Sequence, residues 1–207
     1  AQSLLRTSPR PTTKYGYTVG ILDTDEINAF ATSGGHIFIT RGLLLSAKSE
    51  DALASVIAHE IAHIHLQHNL MSLKKDRQRK KIFNQADALL TEAFGEEVFE
   101  NVDFAKEIRN SVNDMVNNGY SQTCEYEADA YAIELLDNAG YDTNGMFDML
   151  KMLKRSLNEK REFPTSGFAS THPSPDNRLT KLKHLIKNPS ISKNAEKRLL
   201  RFKSIIK

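Results

Sequence analysis

The sequence predicts an α+β fold that is mainly helical, with a small antiparallel sheet near the start of the chain. Short segments rich in β-branched and aromatic residues, separated by turn-forming residues, occupy the first 40 positions. Beyond them, apolar residues recur at spacings of three and four, which is typical of amphipathic helices. With 207 residues the chain can bury a sizeable core, so we expect 1–207 to form a single domain.

The composition narrows the classes of function. The formal net charge of +2 gives no signal for nucleic-acid binding, and we expect no nucleic-acid partner. The single cysteine, Cys124, cannot form a disulfide within the chain, so cysteine usage does not indicate a compartment. No run of about 20 apolar residues occurs, so the sequence predicts no membrane-spanning helix.

The N-terminal part is predicted as strands and turns. Residues 1–13 are rich in Ser, Thr and Pro, and we expect them to be loosely ordered. Residues 41–47 favour a short helix that leads into a longer one. Three strands are predicted before it, at 17–22, 28–30 and 36–40.

A helix predicted over 49–70 carries the motif on which the functional argument depends. Ser49 is suited to cap its N-terminus, and the acidic residues that follow suit the helix dipole. Residues four apart on a helix lie about 40° apart around its axis, so His59 and His63 share one edge. The motif reads His59-Glu60-Ile61-Ala62-His63, which is the pattern His-Glu-x-x-His.

This spacing predicts a metal site. Both imidazoles can reach one Zn²⁺ at about 2.0–2.1 Å, and Glu60 can approach a metal-bound water without binding the metal itself. Two histidines and a glutamate are costly to bury on an otherwise apolar helix without such a role. The alternative is a helix with half-exposed histidines and no metal. A catalytic zinc usually takes three protein ligands, so the hypothesis requires a third residue.

Two further histidines lie on the same predicted helix. His65 and His68 are placed roughly 180–200° around the axis from the edge that His59 and His63 share. We therefore expect both to be exposed or hydrogen-bonded within the core, without a role in the site.

The rest of the chain is predicted as helices joined by loops. Amphipathic helices are expected over 83–116, after a strongly basic segment at 73–81 that is interpreted as a solvated face. Ser174 and Pro175 are typical of a helix start after a loop over 158–177. Two more helices are predicted before that loop, at 122–138 and 145–157.

The C-terminal segment 188–207 is predicted to contain a basic helix capped by Ser192. Its lysines and arginines flank an apolar face, which is typical of a helix that contacts an anionic membrane surface. The alternative, which we favour, is a helix docked on the domain or on a protein partner.

The helix at 122–138 offers a third metal ligand. Glu125 and Asp129 are four residues apart and share one face, whereas Glu127 lies about 200° from Glu125. If Glu125 binds the metal, Asp129 is placed to accept the second ring N–H of a ligating histidine and to fix its tautomer. Cys124 lies about 100° from this face, and we expect it to pack instead of binding metal.

Three separated motifs, two of them made of paired segments, together resemble a known family. The motif at 59–63 with Glu125-Tyr126-Glu127-Ala128-Asp129 resembles the gluzincin zinc metallopeptidase family of the CAAX prenyl protease, HtpX, Oma and BepA. Segments 28–31 and 34–44 are similar to that family's strand pair, and Thr171-His172-Pro173 followed by Arg178 is similar to its C-terminal loop. The resemblance covers roughly 15–187 and is nearest to the soluble bacterial periplasmic branch.

The resemblance implies a zincin-like fold, with the sheet packed on the motif helix and the whole chain forming one metallopeptidase domain. One Zn²⁺ is then held by His59, His63 and Glu125, and Asp129 accepts a hydrogen bond from a ligating histidine. Arg178 pairs with Asp129 or Glu125, or caps its loop. The 36–40 strand is implied to be the edge strand to which an extended substrate adds, through Gly35, His36, Ile37 and Phe38. The implied location is the periplasm or the periplasmic side of a membrane.

The expected function is zinc-dependent hydrolysis of peptide bonds in extended or misfolded polypeptides. Glu60 is the candidate general base, which takes a proton from the attacking water and returns it to the leaving amine. His172 is the first candidate for an oxyanion donor and Tyr120 the second; alternatively, His172 occupies the fourth zinc position and keeps the enzyme latent. The alternative function is a zinc-bound chaperone or adaptor with little proteolysis, which does not explain the presence of Glu60.

Overall fold

One helix, which carries the His-Glu-x-x-His motif, contacts the sheet and several other helices. The computed structural model describes residues 1–10, 13, 16–32, 34–68, 120–158, 172, 174–186, 192 and 194–206. Within them the strands are β1 (Thr18–Leu22), β2 (Ala29–Ala31) and β3 (His36–Thr40). The helices are α1 (Gln2–Arg6), α2 (Arg41–Ser46), α3 (Glu50–His65), α4 (Gln122–Asn138), α5 (Gly145–Asn158), α6 (Pro175–Leu185) and α7 (Ala195–Ile205). The motif helix is α3.

The three strands form one mixed sheet in the order β1-β3-β2. β3 pairs antiparallel with β2, to which a short turn joins it, and parallel with β1. The predicted α+β, mainly helical fold is confirmed, but the prediction of an antiparallel sheet is wrong for the β1–β3 pair. β1 does not pair with β2, its neighbour in the sequence, because the chain passes to the far side of β3 before β2 begins.

β3 is the central strand of this sheet. Residues 36–40 pair with β1, and residues 37–39 also pair with β2. The prediction that the 36–40 strand is a substrate-binding edge is therefore wrong, since both of its backbone edges are already paired. The edges of the described sheet are β1 and β2, and β2 makes the more extensive contact with α3.

The N-terminal segment is more ordered than its composition indicates. Residues Gln2–Arg6 form α1, and Leu4 and Leu5 are buried in the main hydrophobic core. Burial of a leucine side chain contributes about 1.5–3 kcal/mol, which is enough to hold a short helix against the domain. The expectation that 1–13 is loosely ordered is therefore wrong for this helix.

The motif helix α3 begins as predicted and ends earlier. Ser49 Oγ accepts a hydrogen bond of 3.1 Å from the Ala52 N–H, which caps the helix. From Ala54 to His65 every side chain is buried, so α3 is the central element of the core. The helix ends at His65, short of the predicted residue 70, because Gln67 has a positive φ of 56° that a right-handed helix does not accept.

The C-terminal helix α7 is docked on the domain. Arg198 forms a buried ion pair with Asp51 of α3, with 2.7 Å between Nη2 and Oδ1, and Phe202 is buried. Arg201 pairs with Glu50 on the same turn of α3. These contacts agree with the favoured interpretation, a helix docked on the domain.

The cap predicted for this helix is wrong. α7 begins after Asn194, and Ser192 Oγ instead donates a hydrogen bond of 2.6 Å to the carbonyl oxygen of Gly140. Ser192 therefore ties the segment before α7 to the end of α4.

Replacing Arg198 with Met is expected to loosen α7. The free energy of unfolding should fall by about 3 kcal/mol, because the Asp51 carboxylate stays buried without its cationic partner. Amide hydrogen exchange should rise along α7 and remain unchanged in the sheet. Arg201→Met is the matched control, since its side chain is 60% exposed and little change is expected there. Equal exchange in the two variants would contradict a docked helix held by Arg198.

Several predicted segments fall outside the described residues. They are the basic segment at 73–81, the helices over 83–116 and most of the 158–177 loop. The helices predicted at 122–138, at 145–157 and from Pro175 are present as α4, α5 and α6. Of the helices that the structure describes, none has the length and apolar character needed to cross a membrane.

Candidate metal centre

Four side chains direct donor atoms into one buried space between α3, α4 and the segment that precedes α6. They are His59, His63, Glu125 and His172, each at most 1% exposed. His59 Nε2 lies 3.1 Å from His63 Nε2 and 3.2 Å from His172 Nδ1. Glu125 completes the group, with its carboxylate oxygens 3.4 Å from His59 Nε2, 3.4 Å from His63 Nε2 and 3.1 Å from His172 Nδ1.

The packing of α3 against α4 brings these residues together. Ala58 and Ala62 on α3 are fully buried, as are Ala128 and Ala132 on α4. Small side chains allow two helices to approach closely, and the α3–α4 contact is the most extensive between any two described elements. Glu125 lies in the first turn of α4, where the Ser121 hydroxyl caps the helix, so its carboxylate is presented from a fixed position.

The spacing and chemistry of the four donors fit a tetrahedral zinc ion. Two ligand atoms that are each about 2.0–2.1 Å from a tetrahedral zinc lie about 3.3 Å apart. The observed separations between these donor atoms run from 3.1 to 3.4 Å. Imidazole nitrogens and a carboxylate oxygen are also the donors that zinc takes in catalytic sites.

Glu60 lies beside this group without joining it. Both of its carboxylate oxygens are buried, and neither has a hydrogen-bond partner in the described part of the chain. His172 Nε2 lies 3.4 Å from Glu60 Oε1. Burial raises the pKa of Glu60, against the opposing charges of His172 and His59. A buried carboxyl with unused acceptor atoms fits a group that hydrogen-bonds a water molecule and exchanges a proton with it.

A carboxylate and a guanidinium lie behind His59. Asp129 Oδ1 is 3.1 Å from His59 Nδ1, the contact that the spacing of Glu125 and Asp129 predicts. Arg178 is fully buried and donates to Asp129 through Nε at 2.8 Å and Nη2 at 2.7 Å. Its Nη1 lies 2.7 Å from Glu125 Oε2. Arg178 therefore pairs with both carboxylates, which the sequence presented as alternatives.

These contacts set the protonation of the site. Burial and the charge of Arg178 oppose protonation of His59, but hydrogen bonds to Asp129 and Glu125 outweigh them and raise its pKa to about 9. Burial lowers the pKa of His63 well below its ordinary value. Burial would raise the pKa of Glu125, but the charges of His172 and Arg178 hold it well below its usual range. The site thus favours a neutral His63 and an anionic Glu125.

The raised pKa of His59 predicts how the metal-free protein responds to pH. A group whose pKa is higher in the folded state stabilises that state fully below its unfolded pKa, near 6.5, and loses this contribution through its folded pKa. The free energy of unfolding in chelator should therefore fall as the pH rises from about 6.5 to about 9. Denaturant titrations at several pH values measure it. His59→Asn should lack this slope, and a wild-type stability that does not change over the interval would contradict the assignment.

Tyr120 lies flat against the imidazole ring of His63. The two rings stack with centroids 3.9 Å apart and an angle of 17° between their planes. Burial and the charges of Glu60 and Glu125 raise the pKa of Tyr120, so its hydroxyl keeps its proton. Tyr120 therefore holds the His63 ring in place and keeps a proton that it can donate.

His68 lies where the sequence did not predict it. Its Nδ1 is 2.9 Å from His63 Nδ1, and its Nε2 is 3.2 Å from Glu127 Oε2. The prediction that placed His68 on the opposite side is wrong, because α3 has ended and the turn at Gln67 brings the chain back. The sequence indicates this contact only through a histidine five residues after the motif. That spacing does not place two side chains on the same face of a helix.

His65 agrees with its prediction. The side chain is buried, and its Nδ1 lies 3.0 Å from the Tyr131 hydroxyl, away from the four donors. It is a histidine that is hydrogen-bonded within the core.

Cys124 is a half-buried free thiol. It is outside the group of four donors, as predicted, but its sulfur lies within 4.8 Å of the donor atoms of His68 and Glu127. This second group is adjacent to the first through the contact between His68 and His63.

The four predicted substrate-binding residues belong to the sheet and not to the group of donors. His36 Nδ1 lies 2.8 Å from the Thr18 hydroxyl of β1, and Ile37 is buried in the core. Phe38 stacks on Phe30 of β2, with 5.2 Å between ring centroids. Gly35 has a positive φ of 101°, and a Cβ there would lie 2.2 Å from the Gly16 carbonyl oxygen. Gly35 therefore serves the turn before β3.

Histidines four apart on one helix that meet a glutamate from a second helix are the arrangement expected of a metallopeptidase domain. A family model described as peptidase family M48 matches residues 1–186. The chain therefore belongs to peptidase family M48.

Curated relatives agree with this assignment. The chain is 33% identical over 172 residues to a putative beta-barrel assembly-enhancing protease of Vibrio cholerae, covering 81% of this chain and 34% of that protein. It is 30% identical over 161 residues to the beta-barrel assembly-enhancing protease of Escherichia coli K12, with 77% and 32% covered. A mitochondrial metalloendopeptidase OMA1 of Schizosaccharomyces pombe is 28% identical over 170 residues, with 80% and 45% covered. The chain thus spans about a third of the length of these bacterial relatives.

Proposed function

We propose that this domain is a zinc-dependent endopeptidase that hydrolyses peptide bonds in extended or misfolded polypeptides. The observation that carries the proposal is the pairing of the four-donor group with Glu60, whose buried carboxylate oxygens have no hydrogen-bond partner among the described residues. A site that only bound metal would not need a buried carboxyl beside it. His59, His63 and Glu125 are the proposed zinc ligands.

The proposed mechanism assigns each proton to a residue of this chain. His59, His63 and Glu125 would hold the zinc ion, which when bound would polarise the scissile carbonyl and lower the pKa of a water molecule. Glu60 takes the proton of the attacking water, and its raised pKa helps it to keep that proton until the leaving amine needs it. Asp129 accepts the Nδ1–H of His59, and Arg178 holds Asp129 and Glu125 in place.

We propose that His172 is a fourth ligand that keeps the site latent in this conformation. Its Nδ1 faces His59 Nε2 and Glu125 Oε1, as the other ligand atoms do. A substrate carbonyl needs this position, so His172 has to move before a peptide bond is cut. After that movement His172 or Tyr120 is available as an oxyanion donor, a role that typically contributes 10²–10³-fold to the rate.

We further propose that substrate binds along β2 instead of the 36–40 strand. β2 is the sheet edge that contacts the motif helix, and an extended peptide adds to such an edge through backbone hydrogen bonds. Ala29 of β2 is fully buried, so its backbone has to become exposed before a peptide can add along this edge. An extended or unfolded polypeptide fits this mode better than a folded one.

We propose the substrates of this protein from the names of its relatives, and its compartment from the resemblance. The names of the bacterial relatives refer to beta-barrel assembly, and we propose unassembled beta-barrel polypeptides as substrates. A periplasmic site of action, implied by the resemblance, would be tested by fractionating cells that express the full-length protein.

Cleavage of casein by purified protein tests the proposed activity. Activity should disappear on chelation and return with added Zn²⁺, and His172→Ala should cut faster than wild type if His172 holds the site latent. A slower His172→Ala variant would contradict latency and favour an oxyanion role. Zinc binding without cleavage in either protein would favour the alternative, a chaperone or adaptor.

A further inference from the structure

We infer that His68 and Glu127 form a hydrogen-bonded relay behind His63, which fixes the tautomer of His63 and strengthens its hold on the metal. The inference rests on the proposed zinc site, but neither residue is among its four donors. It makes both of them positioning residues that act through His63. The arrangement is carried by two contacts, from His63 Nδ1 to His68 Nδ1 and from His68 Nε2 to Glu127 Oε2.

The direction of each hydrogen bond follows from the role of His63. Its Nε2 faces the other donors, 3.1 Å from His59 Nε2, so this nitrogen supplies the lone pair for the metal. A neutral imidazole that binds through Nε2 carries its proton on Nδ1. His63 Nδ1–H therefore donates to His68 Nδ1 over 2.9 Å.

The same logic fixes the second imidazole. His68 accepts at Nδ1, so its proton is on Nε2, and that N–H donates to Glu127 Oε2 over 3.2 Å. Every ring nitrogen then has one role, and the series ends on an acceptor. A carboxylate that orients a metal-ligating histidine is a general feature of metal sites. Here a second histidine is inserted between them.

With the relay, each of the two ligating histidines of α3 has a hydrogen-bond partner at Nδ1 that leads to a carboxylate. His59 Nδ1 is backed directly by Asp129, and His63 Nδ1 is backed through His68 by Glu127. All three acidic residues over 125–129 of α4 then serve one centre, with Glu125 as the ligand and Asp129 and Glu127 as the supporting carboxylates. This explains why Glu127, which cannot face the ligands, is nevertheless connected to them.

Burial predicts which member of the relay matters more. His68 is completely buried, so removing it leaves the His63 Nδ1–H without an acceptor in a dry environment. The Glu127 side chain is 54% exposed, and water can take its place. Loss of His68 should therefore weaken metal binding more than loss of Glu127.

The nearby group of His68, Cys124 and Glu127 has the composition of a second metal site. While His63 binds its metal ion, the relay excludes a second ion from the group of His68, Cys124 and Glu127. His68 Nε2 then carries a proton and has no lone pair for a metal. The relay therefore predicts one zinc per chain and no effect of Cys124 on zinc content. A second site predicts two, with one lost in Cys124→Ser.

Zinc affinity, measured by competition with a chromophoric chelator, tests the relay. His68→Leu should bind zinc about 10–100-fold more weakly than wild type, the usual effect of losing such a partner. His68→Asn should recover part of this loss, because its amide oxygen can accept from His63 Nδ1–H. Glu127→Gln should weaken binding by less than His68→Leu.

Two control variants separate the relay from general destabilisation. His65→Leu removes a buried imidazole at the same end of α3, and Glu134→Gln removes a charge from an exposed residue of α4. Both should bind zinc as wild type does, whatever their stability in denaturant. If His68→Leu binds zinc no more weakly than His65→Leu, the relay is wrong.

A spectroscopic measurement reports the tautomers directly. In ¹⁵N–¹H spectra of the zinc-loaded protein, His68 should be protonated at Nε2 and His63 at Nδ1. A proton on His68 Nδ1, or two zinc ions per wild-type chain, would overturn the inference. Failure of the wild type to bind zinc would instead overturn the proposed function, so the two failures are distinguishable.

Discussion

Replacing Glu60 with Gln is expected to lower kcat for peptide hydrolysis by about 10²–10⁴-fold, the usual contribution of a general acid–base group. Gln has nearly the same size and keeps the buried position, but it cannot take a proton from water. Zinc content should stay at one per chain, because Glu60 lies outside the four donors. Initial rates on a quenched fluorescent peptide, together with metal analysis of the same samples, measure both quantities.

The matched control for this experiment is Glu134→Gln. It makes the same chemical change at an exposed position of α4, and neither rate nor zinc content should differ from wild type. If Glu60→Gln cut as fast as wild type, the mechanism would be wrong. A loss of zinc together with activity would show that Glu60 acts as a ligand instead.

Replacing Arg178 with Met is expected to lower the free energy of unfolding of the metal-free protein by about 3–5 kcal/mol. The side chain is completely buried, and it neutralises Asp129 and Glu125 at 2.7 Å each. Removing one partner of a buried ion pair leaves an uncompensated charge, which is the costly case. Here two carboxylates lose the same cation. Denaturant unfolding in the presence of a chelator measures the change.

The pH dependence of this loss is a further readout. Burial raises the pKa of Asp129, but the charge of Arg178 outweighs it and holds the pKa below the ordinary value. A group with a lowered folded pKa stabilises the protein above its unfolded pKa, near 3.9, and this contribution is lost as the pH falls below it. Arg178→Met should lose stability at neutral pH and show a weaker acid dependence than wild type. Equal stability of the two proteins at pH 7 would contradict the account.

The elements that depend on local sequence were predictable. Ser49 caps α3 as expected, and α4 spans the predicted residues, because caps and apolar periodicity act within one or two turns. The grouping of His59, His63 and Glu125 followed from spacing and from resemblance, since i and i+4 positions share a helix face. The contact between Asp129 and His59 also follows from that spacing, once Glu125 is placed.

What depends on long-range packing was not predictable. The strand order β1-β3-β2 depends on where the chain crosses the sheet, and strand propensity does not encode that crossing. Because of this order, residues 36–40 form the central strand and not an edge strand. The short N-terminal helix forms because Leu4 and Leu5 reach the core and not because its own residues demand it.

The error on His68 has a different cause. A straight helix through residue 70 would direct His68 away from the site. The positive φ of Gln67 instead turns the chain so that His68 faces the site. The side chain of Gln67 does not predict a positive φ, since glycine or asparagine is the usual residue in that conformation. One backbone torsion thus decides whether His68 is remote from the four donors or in contact with His63.

Anomalous diffraction at the zinc edge tests most directly whether His59, His63 and Glu125 hold one zinc ion. We expect a single anomalous peak per chain, about 2.0–2.2 Å from His59 Nε2, His63 Nε2 and a Glu125 carboxylate oxygen. In the same map, His172 Nδ1 should be at ligand distance if the site is latent. A peak among His68, Cys124 and Glu127, or no peak in zinc-loaded crystals, would contradict the account.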